Sequence, residues 1–230
     1  MRRTFGNAAV LAFAVVALAA CGSTSRQASD TTSSPATPTS LDTPTSAASG
    51  AAQPTDPGVA ARLLAASDLP AGWIAAPVAD SGSSAPSCLS KSPDPTTGHP
   101  RARVVLANKT SSIGVEEQGA QLDPSGGSAA YSQLNQTLQQ CANLTIPVKG
   151  QQLPATIAPT EVAKVGDDTS AFTMTITSAN QTASVQIALV RVSDTVLMLI
   201  YSQSGTPGQP SQLPAILSAA AAKAGNGTTT

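Results

Sequence analysis

Phe172-Thr173-Met174-Thr175-Ile176-Thr177, Val185-Gln186-Ile187-Ala188-Leu189-Val190-Arg191-Val192 and Val196-Leu197-Met198-Leu199-Ile200-Tyr201 follow one another late in the chain. In the first segment large apolar side chains alternate with threonine, the period of two expected of a strand with one buried and one wet face. In the second, Val185, Ile187 and Leu189 share a face. The third is apolar on both faces, so it should lie centrally, either covered on both sides or forming the floor of a cleft on one. Ser193-Asp194-Thr195 separates the last two, and Ser193-Asp194 can turn the chain as a two-residue loop, where Gly or Asn is usual.

Upstream, Arg103 to Ala107, Ile113 to Gln121, Leu144 to Val148 and Ala155 to Ala163 are further strand candidates. Helices frame them. Tyr131, Leu134, Leu138 and Cys141 recur at steps of three and four, one stripe of a 3.6-residue period, with Asp123-Pro124 or Ser128 able to cap the start. Asp56 can cap a helix beginning at Pro57, with Val59 and Leu63 on one face and an end near Ser67. A third helix, Ser211 to Lys223, carries Leu213, Ile216, Leu217 and Ala220 on its apolar side, and Gly225 should end it. Helices early, middle and late with hairpins between them predict an α+β domain: an antiparallel β-sheet with helices packed against it.

The N-terminus carries a different message. Arg2 and Arg3 precede an apolar run from Ala8 to Ala20, then Leu18-Ala19-Ala20-Cys21, the tripartite layout of an export signal. That run is shorter than the roughly 20 residues a membrane-spanning helix needs. The small residues before Cys21 resemble the lipobox of bacterial lipoproteins, whose cysteine receives a diacylglyceryl group and becomes the new N-terminus. Arg2-Arg3-Thr4-Phe5 partly resembles a twin-arginine signal, so the export route stays open. Residues 1–20 are thus read as the signal and 21–56 as a lipidated cysteine and tether. The tether is rich in Ser, Thr, Ala and Pro (Pro35, Pro38, Pro44, Pro54) and too poor in large apolar groups to fold; it is either a bare spacer or a carrier of O-linked sugar. The folded domain is assigned to 57–225 and a tail to 226–230.

The chain has 230 residues, with 12 Lys plus Arg against 13 Asp plus Glu, and aromatics make up 3%. Aliphatic side chains must therefore fill the core. Without Arg2 and Arg3 the mature chain is mildly acidic and has no basic cluster, which argues against nucleic acid as a partner. Once Cys21 is lipidated, Cys88 and Cys141 remain. In an oxidising compartment one disulfide between them is the simplest use, with free thiols or a metal site the alternatives.

Catalytic signatures are weak. His99, the single histidine, sits between turn residues in Thr97-Gly98-His99-Pro100, and no G-x-S-x-G segment supplies a nucleophile for it. Zinc would need three or four ligands at short spacing. Glu116-Glu117 and Asp167-Asp168 are the adjacent carboxylate pairs; Gly166-Asp167-Asp168 fits a turn before a strand. No cofactor, metal or catalytic residue is therefore assigned.

Leu138-Gln139-Gln140-Cys141-Ala142-Asn143-Leu144-Thr145, then Val165-Gly166-Asp167-Asp168, then Leu189-Val190-Arg191-Val192-Ser193-Asp194-Thr195-Val196 together resemble the PknH-like extracellular sensor domain of mycobacterial and related actinobacterial proteins. In that family a helix ends in a cysteine before a strand, a V-G-D-[DE] turn precedes a hairpin, and an R-V-G-N-like turn joins the last strands. The resemblance implies a sheet with helices against it, a ligand cleft and a sensing role at the cell envelope. It departs in having one cysteine pair where the family has two disulfides, and no kinase segment.

Three readings follow. The first is a non-catalytic lipoprotein, held at the extracytoplasmic face of the cell membrane by lipid on Cys21. It would bind a small molecule, lipid or cell-wall fragment in an apolar cleft beside Val196 to Tyr201, with Trp73, Met198 and Tyr201 as candidate lining. The second is an envelope interaction module docking through a sheet edge or the Trp73 region. An enzyme comes third, and would need His99 or the carboxylate pairs to converge.

Overall fold

The computed structural model describes residues 55–77, 93–148, 151–178, 181–203 and 211–226. The signal, Cys21, the tether before residue 55 and Cys88 lie outside them. Eight strands form one antiparallel sheet: β1 Trp73–Ala75, β2 Arg101–Asn108, β3 Ile113–Gln121, β4 Asn143–Val148, β5 Gln151–Thr160, β6 Asp168–Ser178, β7 Gln181–Val192 and β8 Thr195–Gln203. Their order is β1-β2-β3-β8-β7-β6-β5-β4. The last five form a continuous meander whose final strand pairs with β3, so β8 is central.

Helix α2 (Gly126–Gln140) carries the chain from β3 to the far edge at β4, and α3 (Leu213–Asn226) follows β8. The two helices cover opposite faces. Val59, Leu63 and Leu64 join α3 side chains Leu213, Ile216, Leu217, Ala220 and Ala224 over Leu197, Leu199 and Val190. On the other face Tyr131, Leu138 and Cys141 pack over Phe172, Ile176, Ile187, Leu189 and Val196. Pleating sends alternate residues of β8 into these two cores, which explains why that strand is apolar throughout. The threonines of β6 lie on the α3 side, away from α3, and remain half-buried or exposed.

Three helix expectations are corrected. The helix begun at Pro57, α1 (Pro57–Ala60), ends there rather than near Ser67, although Asp56 caps it as expected, accepting from the Val59 N–H at 2.9 Å. The cause is tertiary. Leu64 donates its N–H to the Glu117 carboxylate on β3 at 2.7 Å instead of to a helical carbonyl, while Arg62 and Leu63 bond three residues back. A 3-10 turn follows at Ala66–Asp68. Gly225 does not end α3, which runs to Asn226; buried Ala220 and Ala224 hold the last turn on the sheet. The α2 stripe is as expected, with Tyr131 and Leu138 buried, but its N-cap is Ser125.

Candidate functional site

Two of the three segments that carry the family resemblance, Val165 to Asp168 and Leu189 to Val196, meet in space. Gly166, at φ +65°, turns the chain into β6 against β7, where the Asp167 N–H donates to the Arg191 carbonyl at 2.9 Å. The Arg191 guanidinium reaches Asp168 at 2.6 Å and Asp167 at 3.1 Å. Asp167 also accepts the Ser193 N–H at 2.7 Å. Ser193 takes φ +56° in the β7–β8 hairpin, the left-handed position foreseen for Gly or Asn. Asp194 accepts from Arg62 and Gln121 at 3.1 Å each. Burial works against its charge, but these donors, Thr195 and the Arg62 charge hold its carboxyl below the usual range. Every acidic group here is committed to a local donor. The corner is a structural lock.

Among the described residues, the less covered region lies on the α2 side of the sheet. Among the described residues helix α2 packs chiefly on β5, β6, β7 and β8, and of β3 only Ala120, near its end, joins the α2 cluster. Strand register sets the floor in rows: Val105 beside Glu116 beside Ile200, and Arg103 beside Gln118 beside Met198. Arg103 pairs with Glu116 at 2.8 Å, and Gln118 donates to the other Glu116 oxygen at 2.6 Å. The carboxylate is saturated, yet Arg103 Nε is buried without a partner. Asn135 Oδ1 on α2 is likewise unpartnered. Val105, Met198 and Ile200 are half-buried, and Ile74 is the one exposed large apolar side chain among the described residues, at 38%. Buried polar atoms without partners are uncommon enough to need a cause.

The residues singled out as cleft lining do not converge. Trp73 and Tyr201 point to the α3 side and belong to its core, at 6% and 2% exposure. The Tyr201 hydroxyl donates to Gln203 and accepts from the Gln212 N–H, fastening the start of α3. Met198 alone reaches the open floor, because neighbouring residues of a strand face opposite ways. Glu116 and Glu117 separate for the same reason, one on the floor and one in the α3-side core. His99 lies in the half-exposed turn before β2, and Asp167 with Asp168 is held by Arg191. The floor also carries an ion pair, where an apolar groove with few charges was expected.

Arg103 and Gln118 were not singled out in the sequence, and Glu116 only as half of an adjacent carboxylate pair. Their signal was the two-residue spacing of Arg101 with Arg103 and of Glu116 with Gln118, which puts each pair on one face of its strand. What spacing could not show was that β2 and β3 pair in a register bringing these groups together.

The fold therefore defines a class: an α+β domain with helices on both faces of one antiparallel sheet, β8 at its centre. The crystal structure of the extracellular domain of PknH from Mycobacterium tuberculosis has this fold, matching at a TM-score of 0.50 and 17% identity over 73% of this chain and 93% of that one. The ortholog of Rv0999 from Mycobacterium smegmatis overlaps at a TM-score of 0.33 and 13% identity, over 68% of this chain and 78% of that one. No family model matches the sequence, and no curated protein matches it.

Proposed function

We propose that the protein is a membrane-anchored extracytoplasmic lipoprotein whose domain binds a small molecule, lipid or cell-wall fragment without transforming it. The observation that carries the binding role is the floor beside α2. There an unpartnered guanidinium nitrogen of Arg103 lies beside the half-buried side chains of Val105, Met198 and Ile200. An occupant with a hydrogen-bond acceptor and an apolar body would complement both. The fold shared with a mycobacterial extracellular domain and the lipobox before Cys21 support an envelope location. A disulfide between Cys88 and Cys141 belongs to the same reading.

The binding test uses the mature chain and a panel of envelope lipids, glycans and cell-wall fragments, read as thermal shifts. A true ligand raises the melting temperature of the parent and loses that effect in Ile200→Lys, which places a charge on the floor. A ligand that shifts both chains equally sits elsewhere, and a panel with no hit moves the weight to a protein partner. The anchor is tested separately. Cys21→Ala should leave the membrane fraction for the medium, or remain as uncleaved precursor; a variant that fractionates and is processed like the parent would remove the lipid from the account.

A further inference from the structure

Glu117 is the only fully buried carboxylate among the described residues, 0% exposed within an otherwise apolar cluster. One oxygen accepts the Leu64 N–H at 2.7 Å; the other is buried without a partner. Above it lies a clasp, residues 56–69, seated by Val59, Leu63 and Leu64. The seat is close. A Cβ on Gly119, two residues along the same face, would stand 2.6 Å from Leu63 Cδ2 and 3.2 Å from Leu197 Cδ2.

The clasp is fastened at three points around this carboxylate. Its Asp56 N–H donates to the Arg101 carbonyl at 2.8 Å. Arg62 bonds Asp194 and Thr195. Asp68 pairs with Lys223 of α3. Those are the charges the neighbouring elements bring: Asp56, Arg62 and Asp68 from the clasp and Lys223 from α3. The cross-strand partners, Val104 on β2 and Leu199 on β8, contribute none, and the Tyr201 hydroxyl is occupied at Gln203 and Gln212. Lys223 is thus committed to Asp68, and the Asp56 carboxylate caps Val59.

We propose that Glu117 is a proton-operated latch: neutral, it lets the clasp close over the sheet, and ionised, it favours an open clasp in which the carboxylate reaches water. A buried anion with a single hydrogen bond is costly, whereas the neutral acid needs far less solvation. Burial pushes the carboxyl from 4.5 up to about 7, with the Leu64 N–H and the Lys223 charge pulling it back and Asp68 pushing it further up. In the open clasp it should return to its ordinary value. The closed form therefore binds the proton more tightly, so closure is strongest below the open-state value, weakens as pH rises between the two and is constant above the higher one. Opening should rise about tenfold per pH unit through that interval, ~300-fold in all. Opening would expose an apolar strip beside Asp56, and, resting on the proposed envelope location, the latch would respond to the pH there.

Hydrogen exchange of the Leu64 amide in the mature chain, corrected for intrinsic rate, tests the latch from about pH 5 to 8. Protection should fall about tenfold per unit to neutrality and then level, and Glu117→Gln, which stays neutral, should be flat. PH-independent protection in the parent, or an unchanged slope in the variant, overturns the proposal. If Glu117→Gln does not fold, a carboxyl carbon titration of Glu117 in the parent decides: a midpoint near neutrality supports the latch, and one in the ordinary carboxylate range overturns it.

Discussion

Gly166→Ala should lower the unfolding free energy by about 2–4 kcal/mol, read from chemical denaturation of the mature chain. Two costs combine. The residue sits at φ +65°, where a side chain is disfavoured by roughly 1–2 kcal/mol. A Cβ there would also stand 2.5 Å from the Arg191 carbonyl and 3.0 Å from Val192 Cγ2. That carbonyl is fixed in β7 and accepts the Asp167 N–H, so moving it disturbs the Arg191, Asp167 and Asp168 lock. Gly98→Ala provides the control: its φ is +85° but nothing lies within 4 Å of the added Cβ, so only the backbone cost applies. Equal losses at the two glycines would show that crowding at Arg191 does not matter.

The second large effect is expected at the cysteines. Under the proposed pairing, Cys88→Ala should cost about 4 kcal/mol, the chain-entropy value for releasing a loop of roughly 50 residues, or somewhat less if the unfolded chain keeps structure. Cys141 is 1% exposed in the core beneath α2, at the end of that helix. The bond would therefore fix the C-terminal end of α2, which crosses the sheet beside the open floor. Intact mass should fall by two hydrogens relative to the reduced chain. Rapid alkylation of both thiols in the native protein, together with an unchanged denaturation curve for Cys88→Ala, would remove the disulfide and its share of the stability.

The proposed function and the latch fail independently. Ile200 lies on the α2 side of the sheet and Glu117 on the α3 side, so a ligand displaced by Ile200→Lys says nothing about protonation beneath the clasp. Conversely, a flat exchange profile at Leu64 leaves the floor beside α2 untouched.

Strand pairs from β6 to β8 were legible because each carries its own periodicity: Phe172 to Thr177 alternates, Val185 to Leu189 shares a face, and Val196 to Tyr201 is apolar throughout. The α2 stripe was legible for the same reason. The short β1 was not, since three residues beginning at Trp73 hold too little pattern to tell a strand from the turn before it. The candidate site was only partly legible. Met198 was named for it, but Trp73 and Tyr201 were grouped with it on size and character, which do not report the face a side chain occupies.

By itself the sequence determined the local elements, the hairpin order late in the chain and the turn chemistry at Gly166 and Ser193. These depend on residues a few positions apart. Tertiary structure alone decided that β8 joins β3, that α2 and α3 take opposite faces, that the first helix yields its Leu64 N–H to Glu117, and that Arg103 meets Glu116. Each is a contact between segments far apart in the chain. Periodicity states which side chains share a face, but what covers that face is settled only when distant elements compete to bury it.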